Sequence, residues 1–181
     1  MRRAVLDPFL LTINNKTKPK KGTPMTNQES TITVRHIYTD GAAPNNQNGC
    51  TLGGIGIAVL SPTNELISEL SEAVLPEAND TTTNVRCEML AVIKALELAE
   101  PKDIIHTDNK MISDGYNQWL DGWKAKGWRT ANKKPVANQD LWRCIDNLKL
   151  EKPTVSIKWV RGHNGVYGNE LADSLATAAA S

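Results

Sequence analysis

An α/β domain built on a mixed sheet is the fold class this sequence predicts, and three observations predict it. Strand-like apolar runs open the ordered part of the chain, and helical periodicity follows between Asn84 and Glu100 and again near the C-terminus. Two of the apolar runs end in the same pair of residues, His36-Ile37-Tyr38-Thr39-Asp40-Gly41 and Ile104-Ile105-His106-Thr107-Asp108-Asn109. Two strands that close on Thr-Asp deliver charge to one edge of a sheet.

Residues 1–31, centred on Asn14-Asn15-Lys16-Thr17-Lys18-Pro19-Lys20-Lys21-Gly22, are polar and basic without sustained periodicity and read as a disordered tail. Ordered structure is expected from Thr31. Strands are predicted over Thr31–Asp40, Gly54–Leu60 and Glu65–Val74, the last two joined by the turn Ser61-Pro62-Thr63-Asn64, which gives an antiparallel meander. Met89, Val92, Ile93, Leu96 and Ala99 recur at helical spacing; Asn84 is the expected N-cap and Pro101 the stop. A strand over Asp103–Thr107, helical segments near Asn109–Asp121 and Asn138–Leu150, a strand over Thr154–Val160 and a helix from about Val166 complete the order β-β-β-α-β-α-α-β-α.

The 181 residues, 40% of them apolar, suffice for one core of about 140 to 150 residues plus a tail. Cys50, Cys87 and Cys144 fit no zinc or redox spacing and read as reduced thiols. No apolar run reaches the roughly 20 residues that span a bilayer, so a cytoplasmic protein is expected. A net charge of +1 hides local imbalance: residues 1–34 hold six Lys or Arg against two acids, and residues 109–135 repeat that ratio.

Asp40, Glu88, Asp108 and Asp173 are the candidate catalytic acids. Taken singly, Asp40 and Asp108 suit turns or caps, Glu88 suits a helix dipole, and Asp173 suits a solvated surface. Taken together in one cleft they repel and raise one another's pKa, a conflict that a divalent cation removes. Oxygen ligands without nearby Cys or paired His favour Mg²⁺ or Mn²⁺ over zinc. Two such ions about 4 Å apart suit phosphodiester hydrolysis. His163, in the loop Arg161-Gly162-His163-Asn164-Gly165, is the candidate proton carrier.

Three of the five tryptophans, Trp119, Trp123 and Trp128, share a short stretch with Lys124, Lys126, Arg129, Lys133 and Lys134. Trp119 and Trp123, four apart, are expected to pack beneath the segment, with Trp123 or Trp128 also placed to pack on a sugar. The cations would grip a nucleic-acid backbone with little sequence preference.

In order, Tyr38-Thr39-Asp40-Gly41, Thr82-Thr83-Asn84-Val85-Arg86-Cys87-Glu88, Thr107-Asp108, Gln118-Trp119 through Lys133-Lys134-Pro135-Val136, Asp140-Leu141-Trp142, Trp159-Val160-Arg161-Gly162-His163 and Asn169-Glu170-Leu171-Ala172-Asp173 are together highly specific. Over about residues 34–180 the chain resembles type 1 ribonuclease H, in the bacterial form with a basic protrusion. The resemblance implies a ribonuclease H-like fold, a five-stranded mixed sheet flanked by helices, over residues 32–181, with the protrusion at about 118–135. It implies a monomer that cuts the RNA strand of an RNA/DNA hybrid endonucleolytically, leaving 5′-phosphate and 3′-hydroxyl ends. Asp40, Glu88, Asp108 and Asp173 would ligate two Mg²⁺ ions, with His163 assisting. Asn84, Glu88 and backbone near Gly41 would contact RNA 2′-hydroxyls, and Thr83 a DNA phosphate. Trp119, Trp123, Lys124, Lys126, Trp128, Arg129, Lys133 and Lys134 would form the protrusion's binding surface.

The sequence departs from the family pattern at three places. The loop Ala42–Gly54 is longer and lacks Gly-Asn-Pro-Gly, Gly122 replaces a frequent asparagine, and Lys110 a frequent glutamine. A noncatalytic hybrid-binding module is the alternative function, disfavoured because binding alone does not require so costly a cluster of acids. An integrase or reverse-transcriptase nuclease is a third reading; the chain has no room for a polymerase, and its aromatic basic segment suits a stand-alone enzyme.

Overall fold

The computed structural model describes residues 33–44, 52–75 and 82–181. The expected N-terminal tail, Cys50 and most of the long loop after Ala42 lie outside them. β1 (His36–Ala42), β2 (Gly53–Leu60) and β3 (Leu66–Val74) form the antiparallel meander. α1 (Asn84–Leu98) then crosses over to β4 (Ile104–Thr107), which pairs parallel to β1; β5 (Ser156–Trp159) pairs parallel to β4. The sheet order is β3-β2-β1-β4-β5, so β1 and β4 are adjacent at the centre.

Alternation along β1 sorts its side chains to two faces. Ile37 packs with Ile57, Ile105 and Ile157 under α1 and α4 (Gln139–Glu151), where Met89, Val92, Leu96, Trp142 and Ile145 close the larger core. Tyr38 faces the other way, packing with Ala58 and Leu60 against Ala172 of α5 (Tyr167–Ala179). Burial of this apolar surface is the main force holding helices to both faces.

Thr31 and Ile32, where β1 is expected to begin, lie outside the described residues, and over 33–35 the chain is not yet strand. Instead of extending the ladder, the Arg35 backbone N–H donates to Asp103 Oδ1 at 3.1 Å, while its guanidinium clasps the same fully buried carboxylate. Arg35 is thereby an anchor of β1 to the lead-in of β4. At the far end Gly41 and Ala42 continue to pair with Ile55 and Gly54, carrying the strand past Asp40.

The N-cap of α1 also differs from expectation. Thr83, with extended backbone, accepts the Arg86 N–H on its hydroxyl at 3.2 Å, whereas Asn84 is the first helical residue and accepts the Ala43 N–H at 2.6 Å. The segment expected near Asn109–Asp121 divides into α2 (Lys110–Asp114), a π-helical turn (Gly115–Trp119) and α3 (Leu120–Ala125). Widened turns of this kind are rare within helices and cluster at functional sites. Cys87 is buried and Cys144 exposed. Among the described residues no helix is long and apolar enough to cross a membrane.

Candidate active site

Parallel pairing sets Thr39 opposite Thr107, so Asp40 and Asp108, the next residues, emerge side by side from adjacent strands. The repeated Thr-Asp of the sequence is therefore a spatial pair. Glu88 joins them because Gly41 lets α1 lie against β1: a Cβ at position 41 would sit 2.2 Å from the Glu88 nitrogen and the Cys87 carbonyl carbon. Glu88 lies in the second turn of α1, whose first turn holds no acid, so complementing the helix dipole does not explain it. Asp173, from α5, completes the cluster on the other side of the sheet edge.

The electrostatics report proximity. Burial, then the charges of Asp108 and Asp173, push the Asp40 carboxyl up to about 8, against a hydrogen bond from the Gly41 N–H that works in the opposite direction. Burial also raises Glu88, partly offset by the amide of Asn109 and reinforced by Asp108. Like charges gathered out of water produce these shifts, and a nearby cation reverses them.

Sequence reasoning missed the residues that hold the acids. Asn109 caps α2 by accepting the Ile112 N–H on Oδ1 at 3.2 Å, which turns its Nδ2 toward Glu88 Oε2. Asn169 Nδ2 donates to Asp108 Oδ2 at 3.4 Å, and the Trp159 indole N–H donates to the Asp108 backbone carbonyl at 3.0 Å. The i,i+4 spacing of Asn169 and Asp173 on one helix was the available signal for the first of these. Gly162 lies against Asp108, where a Cβ would come within 2.7 Å of Oδ2, and this brings the His163 loop to the site. His163 adopts a left-handed φ of 50°, is 79% exposed, and holds Nδ1 3.9 Å from Asp173 Oδ2.

The donor set fits a hard divalent cation: its charged members are all carboxylates, and one of them is pushed toward the neutral form by burial and then by the neighbouring acids. Among the described residues no three His, Cys, Asp or Glu side chains already close into a complete metal-binding group. The acids form an open cluster, not a finished cage.

The basic segment is a hairpin-like projection. Trp128 N–H donates to the Trp123 carbonyl, Val136 N–H to the Trp128 carbonyl and Thr130 N–H to the Lys134 carbonyl, and Lys126, Arg129, Lys133 and Lys134 are exposed around it. Trp123 packs edge-on against Trp142, as expected of a supporting residue. Trp119 packs at a tilt against Trp123, ring centres 5.7 Å apart, while remaining 38% exposed. Trp128 is buried with the Arg143 guanidinium 4.7 Å from its ring centre, so its indole faces the protein. Lys124 is engaged by Asp146 at 3.0 Å, and Lys110 by Asp114 at 2.6 Å.

Residues 33–181 match the family model described as RNase H. The chain belongs to the RNase H family. It is 46% identical over 142 residues to a Ribonuclease H of Cupriavidus pinatubonensis, covering 77% of this chain and 90% of that one. A Ribonuclease H of Francisella philomiragia is 47% identical over 144 residues, covering 78% and 88%. In structure it is similar to the RNase H domain of PFV solved in solution, with a TM-score of 0.68 and 27% identity over 82% of this chain and 94% of that domain. The five-stranded mixed sheet with flanking helices is thus the RNase H fold.

Proposed function

We propose that this RNase H hydrolyses the RNA strand of RNA/DNA hybrids endonucleolytically, leaving 5′-phosphate and 3′-hydroxyl ends, and that residues 32–181 carry the activity as a monomer. The carrying observation is the convergence of Asp40, Asp108 and Asp173 from β1, the end of β4 and α5, close enough that burial and the charges of the other two raise the Asp40 carboxyl. Asp40, Glu88, Asp108 and Asp173 would hold two Mg²⁺ ions, Mn²⁺ being the alternative; when bound, such a pair supplies an activated water and stabilises charge on the leaving oxygen.

The protein's own groups do the rest. His163, exposed in a loop beside Asp173, moves a proton at an imidazole nitrogen between the site and solvent. Asn84 spends its Oδ1 on Ala43, which leaves its Nδ2 to donate to a ribose 2′-hydroxyl, the group that separates RNA from DNA. Glu88 and the Gly41 backbone line the same approach. The Thr83 hydroxyl accepts from Arg86 and keeps its proton for a phosphate oxygen of the DNA strand. Lys126, Arg129, Lys133 and Lys134 grip the backbone by charge, with Trp119 as the exposed aromatic beside them, Trp123 and Trp128 supporting the projection from within and Lys124 tied to Asp146.

Cleavage of end-labelled hybrid, RNA duplex and DNA duplex, with and without Mg²⁺, tests the reading. Mg²⁺-dependent cutting of hybrid alone is expected, reduced more than about 100-fold in Asp108→Asn, a barrier increase of roughly 2.7 kcal/mol. Tight hybrid binding without turnover would instead favour a binding module, and an Asp108→Asn protein of wild-type rate would refute the roles given to the acids.

A further inference from the structure

Asn169 is 1% exposed on α5, one helical turn before Asp173. Its amide N–H donates to Asp108 Oδ2, but its Oδ1, equally buried, receives a hydrogen bond from no donor of the protein. Among the described residues it is the one buried side-chain oxygen or nitrogen in that position. Turning the amide over offers no relief, because it would set a carbonyl oxygen against the Asp108 carboxylate. A buried acceptor without a partner is costly, and folded proteins retain few of them. An apolar side chain branched at the same carbon would occupy the place without that cost, so packing does not account for an asparagine here.

We propose that Asn169 is a positioning residue of the catalytic cluster: its amide N–H fixes the Asp108 carboxylate, and its carbonyl takes a hydrogen bond from a water held between α5 and β4. The inference deepens the reading above and rests on it. With Oδ2 committed to Asn169 and flanked by Gly162, Oδ1 is the oxygen that Asp108 has left for a cation. The same hydrogen bond ties α5 to the end of β4, which sets the depth at which Asp173 meets Asp40. Groups that orient ligands from behind are worth about 10-fold to 100-fold in metal affinity or activity.

Two substitutions in the full chain test this, read by calorimetric Mg²⁺ affinity, kcat and KM on hybrid, and Tm. Asn169→Leu removes both polar interactions and the orphaned acceptor together. Its Tm should match or exceed that of the wild type, its Mg²⁺ affinity and kcat should each fall about 10-fold, and KM should move little. Asn169→Ser, which keeps a donor and an acceptor and leaves room for a water, should recover part of that loss. The proposal is overturned if Asn169→Leu lowers Tm while Mg²⁺ affinity and kcat hold, which is the behaviour of a space-filling residue. It is equally overturned if Asn169→Ser performs no better than Asn169→Leu. A wild-type protein that neither binds Mg²⁺ nor cuts hybrid would overturn the function itself and this inference with it.

Discussion

Asp40 carries the site's conflict in one side chain. Its carboxyl, normally near 3.8, is held at about 8 by burial and by Asp108 and Asp173. An acid whose folded pKa is raised contributes stability below its unfolded value and loses that contribution as pH climbs through the folded one. Scanning calorimetry of the protein in chelator should therefore show Tm falling more steeply between about pH 4 and pH 8 than in Asp40→Asn, and saturating Mg²⁺ should flatten the wild-type slope. Parallel slopes for the two proteins would contradict the assignment of strain to Asp40. His163 makes a different contribution, since it touches the cluster at 3.9 Å only through Asp173 and stands in solvent. His163→Ala should lower kcat by about 100-fold, within the range of general acid-base effects, with Tm unchanged; steady-state kinetics and a melting curve check both halves. At this scale the sequence disclosed the acids because their carriers are short and repeated. It did not disclose Asn109 or Asn169, whose roles depend on amide groups meeting acids 21 and 61 positions away in the chain.

Two elements show how local chemistry sets what each part contributes. The lead-in to β1 is fixed by Arg35 and Asp103, a buried ion pair that also satisfies the Arg35 and Glu100 backbone N–H groups. Arg35→Ala would strand the Asp103 carboxylate and should cost about 3 to 5 kcal/mol in denaturant unfolding, with cleavage rate per folded molecule unaltered. An unchanged midpoint would show that the pair contributes nothing. This ion pair also explains why strand periodicity ran back past the start of β1 at His36: Val34 continues the apolar alternation, but the Arg35 N–H bonds a side chain instead of the ladder. The projection from Trp128 to Val136 divides its residues likewise. Composition identified the basic segment, yet not that Trp128 would turn inward under Arg143 or that Lys124 would be taken by Asp146. Replacing Lys126, Arg129, Lys133 and Lys134 together with Ala should weaken hybrid binding and reduce the slope of log affinity against log salt by roughly 0.7 to 0.9 for each phosphate no longer neutralised. Filter binding from low to high salt measures it, and an unaltered slope would remove these cations from the interface.

The whole molecule is a device for bringing distant acids to one edge. β1 and β4 lie 68 positions apart at His36 and Ile104 but pair directly, and α1 and α5 approach the same edge from opposite faces of the sheet. This much was legible from sequence because strand and helix periods differ and because Thr-Asp recurs at two strand ends. The division of the second helical region around a π-helical turn was not, since an apolar pattern does not distinguish turns of slightly different width. The claim on which everything rests is that Asp40, Glu88, Asp108 and Asp173 act as one cation-binding group. Calorimetric titration of Mg²⁺ into the wild type and into the four single Asp→Asn or Glu→Gln variants tests it most directly. Each variant should bind Mg²⁺ more weakly than the wild type by about 10-fold or more; wild-type affinity in Asp173→Asn or Glu88→Gln would show that the acids only share a neighbourhood.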